Sequence, residues 1–280
     1  MQAKGHFGYP SGIALDARGN VFVADEGLHR IVELSPRGKV LRQFGRQTAK
    51  QASAPKYRGL RVDSNGNIYV TDEVNFTLDK FSKTGKLLAI WGGLGSGPGL
   101  FKGPEDVALD PEGNMFVADE DNHRIQKLNS TGQFVSQWGT KGIAAGQFNG
   151  PSSLALDNQG NVWVADEYNY RIQEFDSSGV FVRMWSSAGK KLGQLGEPEG
   201  LAVTTHNKVV VADTDNNRIQ KFRQDGTVFA HWGSKGNRPN QMKSPHAVAV
   251  DPAGNVYVAD SQNTRVIKFD RHGKVLAVWY

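Results

Sequence analysis

A single spacing organises the whole sequence. An aspartate closes each short apolar run of the type Val-x-Val-Ala-Asp, and this aspartate recurs every 47 residues. The six copies are Asp25, Asp72, Asp119, Asp166, Asp213 and Asp260. An aromatic column has the same period: Phe44, Trp91, Trp138, Trp185, Trp232 and Trp279. Six units of 47 residues account for almost all of the 280 residues, so we predict a repeat architecture.

Each unit predicts four short strands. In the first unit, β-branched and aromatic residues cluster at 12–16, 21–24, 30–34 and 39–44, with glycine-bearing turns and no helical periodicity. Repeats of about 40 to 50 residues with four strands are typical of propeller blades. We therefore predict an all-β fold, a six-bladed β-propeller of four-stranded antiparallel blades. The first blade should pack directly on the last, without exchange of a strand between the termini.

The blades should form a single domain over residues 1–280, with approximate limits at 1–45, 46–92, 93–139, 140–186, 187–233 and 234–280. No apolar run approaches the roughly 18 residues of a membrane-spanning helix, so we expect a soluble monomer without membrane contact. The absence of cysteine excludes a disulfide scaffold and a cysteine nucleophile. The first residues contain no apolar stretch typical of a secretion signal, and the compartment stays open.

Residues 99–125 read Gly-x-Phe-x-x-Pro-x-x-Val-Ala-Leu-Asp-x-x-Gly-Asn-x-Phe-Val-Ala-Asp-x-x-Asn-His-Arg-Ile. This unit resembles the NHL repeat, and the uninterrupted period resembles bacterial members of that family. The resemblance implies a propeller fold but leaves the function open, because NHL propellers include RNA-binding domains, protein-interaction domains and a zinc-dependent peptidyl-hydroxyglycine lyase. The recurring Asp and Arg columns are predicted to form ion pairs within the fold, and the Trp column to pack one blade on the next.

The lyase can be compared residue by residue. The resemblance implies zinc ligands in several Pro-His elements ahead of first strands, and only Pro245-His246 matches here. Where the family has its catalytic Arg and Tyr, the first and third blades carry Glu26 and Asp121, while Tyr168 has the Tyr-like offset in the fourth blade. We therefore expect a non-catalytic binding propeller. A metal-dependent lyase or hydrolase centred on the channel is the alternative.

Function in a repeat protein should lie where equivalent positions differ. In each blade one residue follows the usual proline at the start of the first strand. These six residues should form a ring at the channel mouth. Its members are Ser11, Arg58, Glu105, Ser152, Glu199 and His246. Because carboxylates and imidazole ligate divalent cations, Glu105, Glu199 and His246 form the candidate metal site. No other cofactor is expected.

The second blade departs most from the pattern. Arg61 stands in a column that is otherwise Ala, Tyr57 replaces the usual Pro and Thr77 replaces the usual Arg. Arg58 and Arg61 together could clamp a carboxylate or phosphate. We therefore predict a peptide, a protein or a small anionic ligand on the face around the channel mouth. The candidate binding residues are Tyr57, Arg58, Arg61, Glu105, Tyr168, Glu199 and His246.

Two alternatives concern charge pairing. The first is that Arg61 pairs with Asp72 or Glu73 and has a purely structural role. The second concerns an acidic column that follows the closing aspartate: Glu26, Glu73, Glu120 and Glu167. We favour pairing of these carboxylates with Arg58 and the blade arginines, and a bound Ca²⁺ is the other interpretation.

The net charge of +5 is unevenly distributed. The outer loops between units carry 12 basic and four acidic residues, a balance of +8. Their densest basic stretch contains the candidate polyanion-binding residues Arg46, Lys50, Lys56 and Arg58. Single-stranded RNA binding, which needs phosphate neutralisation and aromatic stacking, is therefore a second alternative function.

Overall fold

The structure is a computed structural model that describes residues 6–46 and 53–280. Within these ranges the chain forms 24 strands and four single-turn 3₁₀ helices. The strands are β1 Pro10–Leu15, β2 Val21–Asp25, β3 Arg30–Leu34, β4 Val40–Phe44, β5 Tyr57–Val62, β6 Ile68–Asp72, β7 Thr77–Phe81, β8 Leu87–Gly92, β9 Pro104–Leu109, β10 Met115–Asp119, β11 Arg124–Leu128, β12 Phe134–Trp138, β13 Pro151–Leu156, β14 Val162–Asp166, β15 Arg171–Phe175, β16 Phe181–Trp185, β17 Pro198–Val203, β18 Val209–Asp213, β19 Arg218–Phe222, β20 Val228–Trp232, β21 Pro245–Val250, β22 Val256–Asp260, β23 Arg265–Phe269 and β24 Val275–Trp279. The helices are Glu26–Leu28, Glu120–Asn122, Glu167–Asn169 and Ser261–Asn263.

Every four consecutive strands form one antiparallel sheet, and the described residues contain six such sheets. The first strands of neighbouring blades contact one another around the ring, and β21 contacts β1 to close it. The predicted six-bladed propeller is thereby confirmed. No strand is exchanged between the ends, since β1 to β4 and β21 to β24 are separate sheets. No helix in the described ranges has the length and apolar character needed to cross a membrane.

The burial of each strand follows from its place in the blade. Second strands such as Val21–Asp25 are buried along their whole length, because neighbouring blades cover both faces of the sheet. Fourth strands such as Val40–Phe44 lie at the rim and alternate between half-buried and exposed residues. The apolar runs that define the repeat therefore lie in the layer where two blades meet.

The tryptophan column joins each blade to the next. The indole of Trp279, in the last blade, lies against Gly38 in the first, and Trp91 lies against Gly132 in the same way. Both glycines have positive φ, near 80° and 85°, and a Cβ at either position would collide with the indole ring. This geometry confirms the predicted packing role of the column and shows how the ring closes.

The aspartate and arginine columns fasten the upper loops. Asp25 Oδ2 accepts a hydrogen bond from Arg30 Nε at 2.9 Å, and its Oδ1 accepts one from the amide of Gly8 at 2.7 Å. Five blades have this ion pair, made by Arg30, Arg124, Arg171, Arg218 and Arg265. Since a buried carboxylate is stable only with such partners, these columns are structural, as predicted. We call the face on which these loops lie the top face.

Candidate ligand site at the channel mouth

The channel is divided into two cavities. The upper one, of about 430 Å³, opens on the top face and is lined mainly by polar groups at the starts of the first strands and after the second strands. The lower one, of about 280 Å³, is lined mostly by aliphatic side chains. Arg61 borders both cavities, so its side chain lies between them.

Arg61 contacts the next two blades. Its Nη2 lies 3.0 Å from Asp106 Oδ2 and 2.6 Å from the carbonyl oxygen of Leu154, and its Nη1 donates to its own neighbour Leu60. Asp106 also accepts hydrogen bonds from Ser153 and from the Leu154 amide. The predicted pairing with Asp72 or Glu73 is wrong, because the side chain crosses the channel instead of turning back into its own blade.

Arg58 lies among three carboxylates of three blades. Its nitrogens are 2.9 Å from Glu26, 3.0 Å from Glu73 and 2.8 Å from Glu105. This confirms the favoured interpretation of the acidic column for Glu26 and Glu73. The two arginines do not form an open anion clamp, because the carboxylates of the protein already occupy both guanidinium groups.

Tyr57 lies outside the cavity. Its side chain is fully buried between the first two blades, where its ring packs edge-on against Phe81. The Tyr57 hydroxyl accepts a hydrogen bond from the amide of Arg46 at 2.6 Å. The predicted ligand contact by Tyr57 is therefore corrected to a packing role, which follows from its inward-facing position in β5.

The predicted polyanion patch is largely neutralised. Arg46 replaces the arginine missing at Thr77, since its guanidinium binds Asp79 and Thr77. Lys56 Nζ lies 2.7 Å from Glu73, and Arg58 is paired as described. The remaining member, Lys50, lies outside the described residues. Arg46, Lys56 and Arg58 are therefore each paired with a carboxylate. Their positions in the loops had led us to expect an exposed, unpaired basic patch.

The predicted metal-ligand set is also rearranged. His246 Nε2 lies 2.6 Å from Glu199 Oε2, and the His246 ring packs edge-on against Tyr9 at 5.5 Å between centroids. Glu105 instead contacts Arg58. Within the described ranges, the acidic group close enough to hold a cation is Glu167, Glu197 and Glu199, whose ligand atoms lie within 4.8 Å of one another.

Glu167 is the most unusual of these carboxylates. Its exposed fraction is only 8%, and no basic side chain of the described residues lies within 4.0 Å of its carboxylate. Burial, reinforced by Glu199, Glu120 and Glu105, raises the pKa of Glu167 to about 9. Burial likewise raises the pKa of Glu105 to about 7, although Arg58 opposes the shift.

Glu197 reaches the cavity through an unfavourable backbone conformation. Its φ is 49°, in the left-handed region, as at the equivalent Gly103, Gly150 and Ser244 of the third, fourth and sixth blades. A non-glycine residue costs free energy in that region, and such strain concentrates at functional sites. Here the strained position carries a carboxylate into the cavity wall, beside Glu199.

The cavity is electronegative. Its lining contains the carboxylates of Glu73, Glu105, Asp106, Glu120, Glu167, Glu197 and Glu199. Against them stand Arg58, Arg61 and, when protonated, His246. The cavity is lined by six of the predicted binding residues: Arg58, Arg61, Glu105, Tyr168, Glu199 and His246. Glu120 and Glu167 of the predicted acidic column also line it, whereas Glu197 was not predicted. The sequence did not show that Arg58 reaches only one side of the ring.

The repeat can now be assigned. The family model of the NHL repeat matches residues 7–34, 101–128, 148–175, 195–222 and 242–269. The chain belongs to the NHL-repeat family. The matched segments correspond to every blade except the second, which carries Arg58 and Arg61. A search of curated proteins finds no significant match.

Solved structures share the fold at low identity. Virginiamycin B lyase from Staphylococcus aureus aligns with a TM-score of 0.66 and 15% identity over 98% of this chain and 84% of its own. A streptogramin B lyase gives 0.70 and 16% over 99% and 84%, and a protein of unknown function from Bacteroides caccae gives 0.69 and 15% over 92% of each. At these identities the likeness establishes the propeller architecture alone.

Proposed function

We propose that this NHL-repeat propeller is a binding module whose upper cavity takes a positively charged group, such as the ammonium group of an amine or of a lysine side chain. The observation that carries the proposal is the acidic cluster of Glu167, Glu197 and Glu199 in a cavity of about 430 Å³. Burial keeps Glu167 protonated near neutral pH in the unliganded protein, and a bound ammonium would stabilise its carboxylate form, so we expect binding to release a proton. Concave sites with a few convergent polar groups are the usual ligand sites of proteins.

Three features support a cation over the anion first predicted. Arg58 and Arg61 are neutralised by carboxylates of the protein. Glu167 and Glu197 have no basic partner within 4.0 Å among the described residues. The positive-φ position that holds glycine in the third and fourth blades and serine in the sixth carries a carboxylate in the fifth, beside Glu199.

The proposal is tested with a matched pair of tripeptides. Gly-Lys-Gly presents an ammonium group, and Gly-norleucine-Gly presents a neutral side chain of similar length. We expect calorimetric titration to show saturable binding of the lysine peptide alone. The Glu167→Gln and Glu197→Gln variants should weaken it by about tenfold, which corresponds to about 1.4 kcal/mol.

The control variant is Glu112→Gln, because Glu112 is exposed on the opposite face and outside the cavity. It should bind the lysine peptide as the unmodified protein does. Equal binding of the two tripeptides, or equal weakening by Glu112→Gln, would remove the proposed site. Competition by Ca²⁺ or Mg²⁺ would show that a metal ion occupies the same carboxylates.

The second candidate is the metal-dependent lyase or hydrolase of the sequence analysis. It is favoured by one observation, the contact of His246 with Glu199 beside the three clustered carboxylates. His246 and Glu199 could then move a proton next to a cation held by Glu167 and Glu197. Stoichiometric metal in the purified protein, lost in Glu197→Gln, would favour this candidate over the binding module.

A further inference from the structure

A second group of candidate residues, independent of the proposed function, lies on the face opposite the top face, which we call the bottom face. There the first-to-second and third-to-fourth turns of each blade meet those of its neighbours. One column near the end of the third strands is lysine in four blades: Lys80, Lys127, Lys221 and Lys268. How each lysine is balanced distinguishes the blades.

In three blades the ammonium group lies over an aromatic ring of the second strand, at 4.8 Å for Lys80 on Tyr69 and for Lys127 on Phe116, and at 4.9 Å for Lys268 on Tyr257. In the third blade a carboxylate is added, with 3.8 Å between Lys127 Nζ and Asp110. The ring compensates part of the cost of burying the charge, and for Lys127 the carboxylate compensates more of it.

The fifth blade lacks both the first-turn aspartate and the second-strand aromatic residue. Thr204 stands where the other five blades have Asp, and Val210 stands where they have an aromatic residue. Lys208 additionally replaces the Asn found in the other blades. Nevertheless Lys221 is 6% exposed, and no carboxylate of the described residues lies within 4.0 Å of its ammonium group.

Further cations surround Lys221 instead. Phe229, half exposed on the fourth strand, has Lys208 Nζ and Lys221 Nζ each 5.7 Å from its ring centre and Arg223 Cζ at 5.5 Å. Burial lowers the pKa of Lys221, and Lys208 and Arg271 of the sixth blade lower it further.

Two turn aspartates of the fifth and sixth blades bind amides of their own turns. Asp225 Oδ1 accepts the amide of Thr227 within its own turn at 2.9 Å. Asp270 Oδ1 accepts the amides of His272 and Lys274 at 2.8 and 2.9 Å. Both aspartates cap the turns in which they lie, so neither replaces the carboxylate that Thr204 removes.

We propose that Lys208, Lys221 and Arg223, the three cations around the Phe229 ring, form a binding site for a phosphoryl group on the bottom face of the fifth blade, on the side of the sixth blade. A doubly charged oxyanion would neutralise cations that the protein leaves unbalanced, and the Thr204 hydroxyl can donate to it. The exposed ring of Phe229 supplies a flat surface beside the site, which suits a phosphate ester with an aromatic base.

The experiment restores the repeat consensus. The double variant Thr204→Asp/Lys208→Asn gives the fifth blade the residues of its neighbours and lowers the charge by two. Inorganic phosphate is titrated against sodium chloride of equal ionic strength, with the melting temperature and the ¹⁵N chemical shift of the Lys221 ammonium as readouts. We expect saturable stabilisation of the unmodified protein and at least tenfold weaker phosphate binding in the variant.

The matched control is Lys83→Glu, which also lowers the charge by two at the position of Arg271 in the second blade. It should bind phosphate like the unmodified protein. Equal phosphate effects in all three proteins, or no saturable effect in the unmodified one, would overturn the proposal. Adenosine monophosphate is the second probe. If it binds more tightly than phosphate and Phe229→Ala removes this gain, the ligand is a nucleotide. If adenosine monophosphate and phosphate bind equally, the ligand is free phosphate.

Discussion

The second and fifth blades both break the repeat, but they do so differently. In the second blade every departure has a partner: Arg46 replaces the missing arginine, and Arg61 reaches Asp106. In the fifth blade Thr204 removes a negative charge and Lys208 adds a positive one, and Lys221 is left among cations. The comparison teaches that a departure from the repeat is not itself evidence of a site. Charge that the fold leaves unbalanced is the stronger indicator.

The ring of carboxylates around the upper cavity shows the same difference between balanced and unbalanced charge. On the side of the second blade, Arg58 neutralises Glu26, Glu73 and Glu105. On the side of the fourth and fifth blades, Glu167 and Glu197 lack such a cation among the described residues. One half of the ring is therefore structural, and the other half is the candidate site. Four predictions test the contrast between the second and fifth blades and the contrast between the two halves of the ring, from the largest expected effect to the smallest.

Removal of Arg58 should have the largest effect. Arg58→Ser introduces the residue found at this ring position in the first and fourth blades, but leaves three carboxylates without their shared partner. Breaking a buried ion pair typically costs about 3 to 5 kcal/mol, so urea unfolding should show a loss of about 3 kcal/mol. The exposed Arg18→Ser is the control and should change stability by less than about 0.5 kcal/mol. A loss of the same small size for Arg58→Ser would contradict a structural role for this half of the ring.

An arginine introduced at position 77, where the other five blades have one, should take over the role of Arg46. Arg46→Ala leaves the fully buried Asp79 without its guanidinium, and we expect a loss of about 2 to 3 kcal/mol in the free energy of unfolding. Adding Thr77→Arg restores the blade column and should recover at least half of that loss. If the double variant is no more stable than Arg46→Ala, the loop arginine does not take over the role of the missing column residue.

The sequence predicted the architecture because the fold depends on columns that recur in every blade. The Trp and Gly columns specify blade packing, and a 47-residue period leaves little choice of topology. The site was predicted only in part. Arg61 meets a carboxylate of the next blade, and column position alone does not tell how far a long side chain reaches across the channel.

The left-handed backbone of Glu197 recurs at Gly103, Gly150 and Ser244, so the repeat indicates the conformation, but it does not show that the carboxylate at this position lies beside Glu167 and Glu199. Thr204, Lys208 and Val210 are a different case. These three replacements are visible in the aligned units. Their meaning emerges only when the structure shows that all three positions adjoin one buried lysine, Lys221.

Glu167 should couple folding to pH. Because its pKa is raised to about 9 in the folded protein, the folded state retains a proton that the unfolded chain releases near pH 4.5. Its contribution to stability is full below pH 4.5 and is lost as the pH rises toward 9. Glu167→Gln should therefore be more stable than the unmodified protein at pH 8, by about 1 kcal/mol or more, and equal to it near pH 4. Parallel stability curves for the two proteins from pH 4 to 8 would show that Glu167 ionises normally.

Restoring the missing carboxylate of the fifth blade should have the smallest effect on the free energy of unfolding. Unlike most substitutions, it should stabilise the protein. Burial and neighbouring cations lower the pKa of Lys221 in the folded protein, so the unfolded chain binds the proton more readily. The stability of the protein therefore decreases as the pH is lowered from the pKa of Lys221 in the unfolded chain toward its pKa in the folded protein. Thr204→Asp would place a carboxylate near Lys221 and should stabilise the protein by up to about 1 kcal/mol at pH 7, measured by urea unfolding. Asp110→Thr in the third blade removes the ion pair with Lys127 and also two hydrogen bonds from Asn114, so it should destabilise by more than about 1 kcal/mol. If Thr204→Asp destabilises instead, the cations around Lys221 are already balanced, and the contrast between the fifth blade and its neighbours disappears.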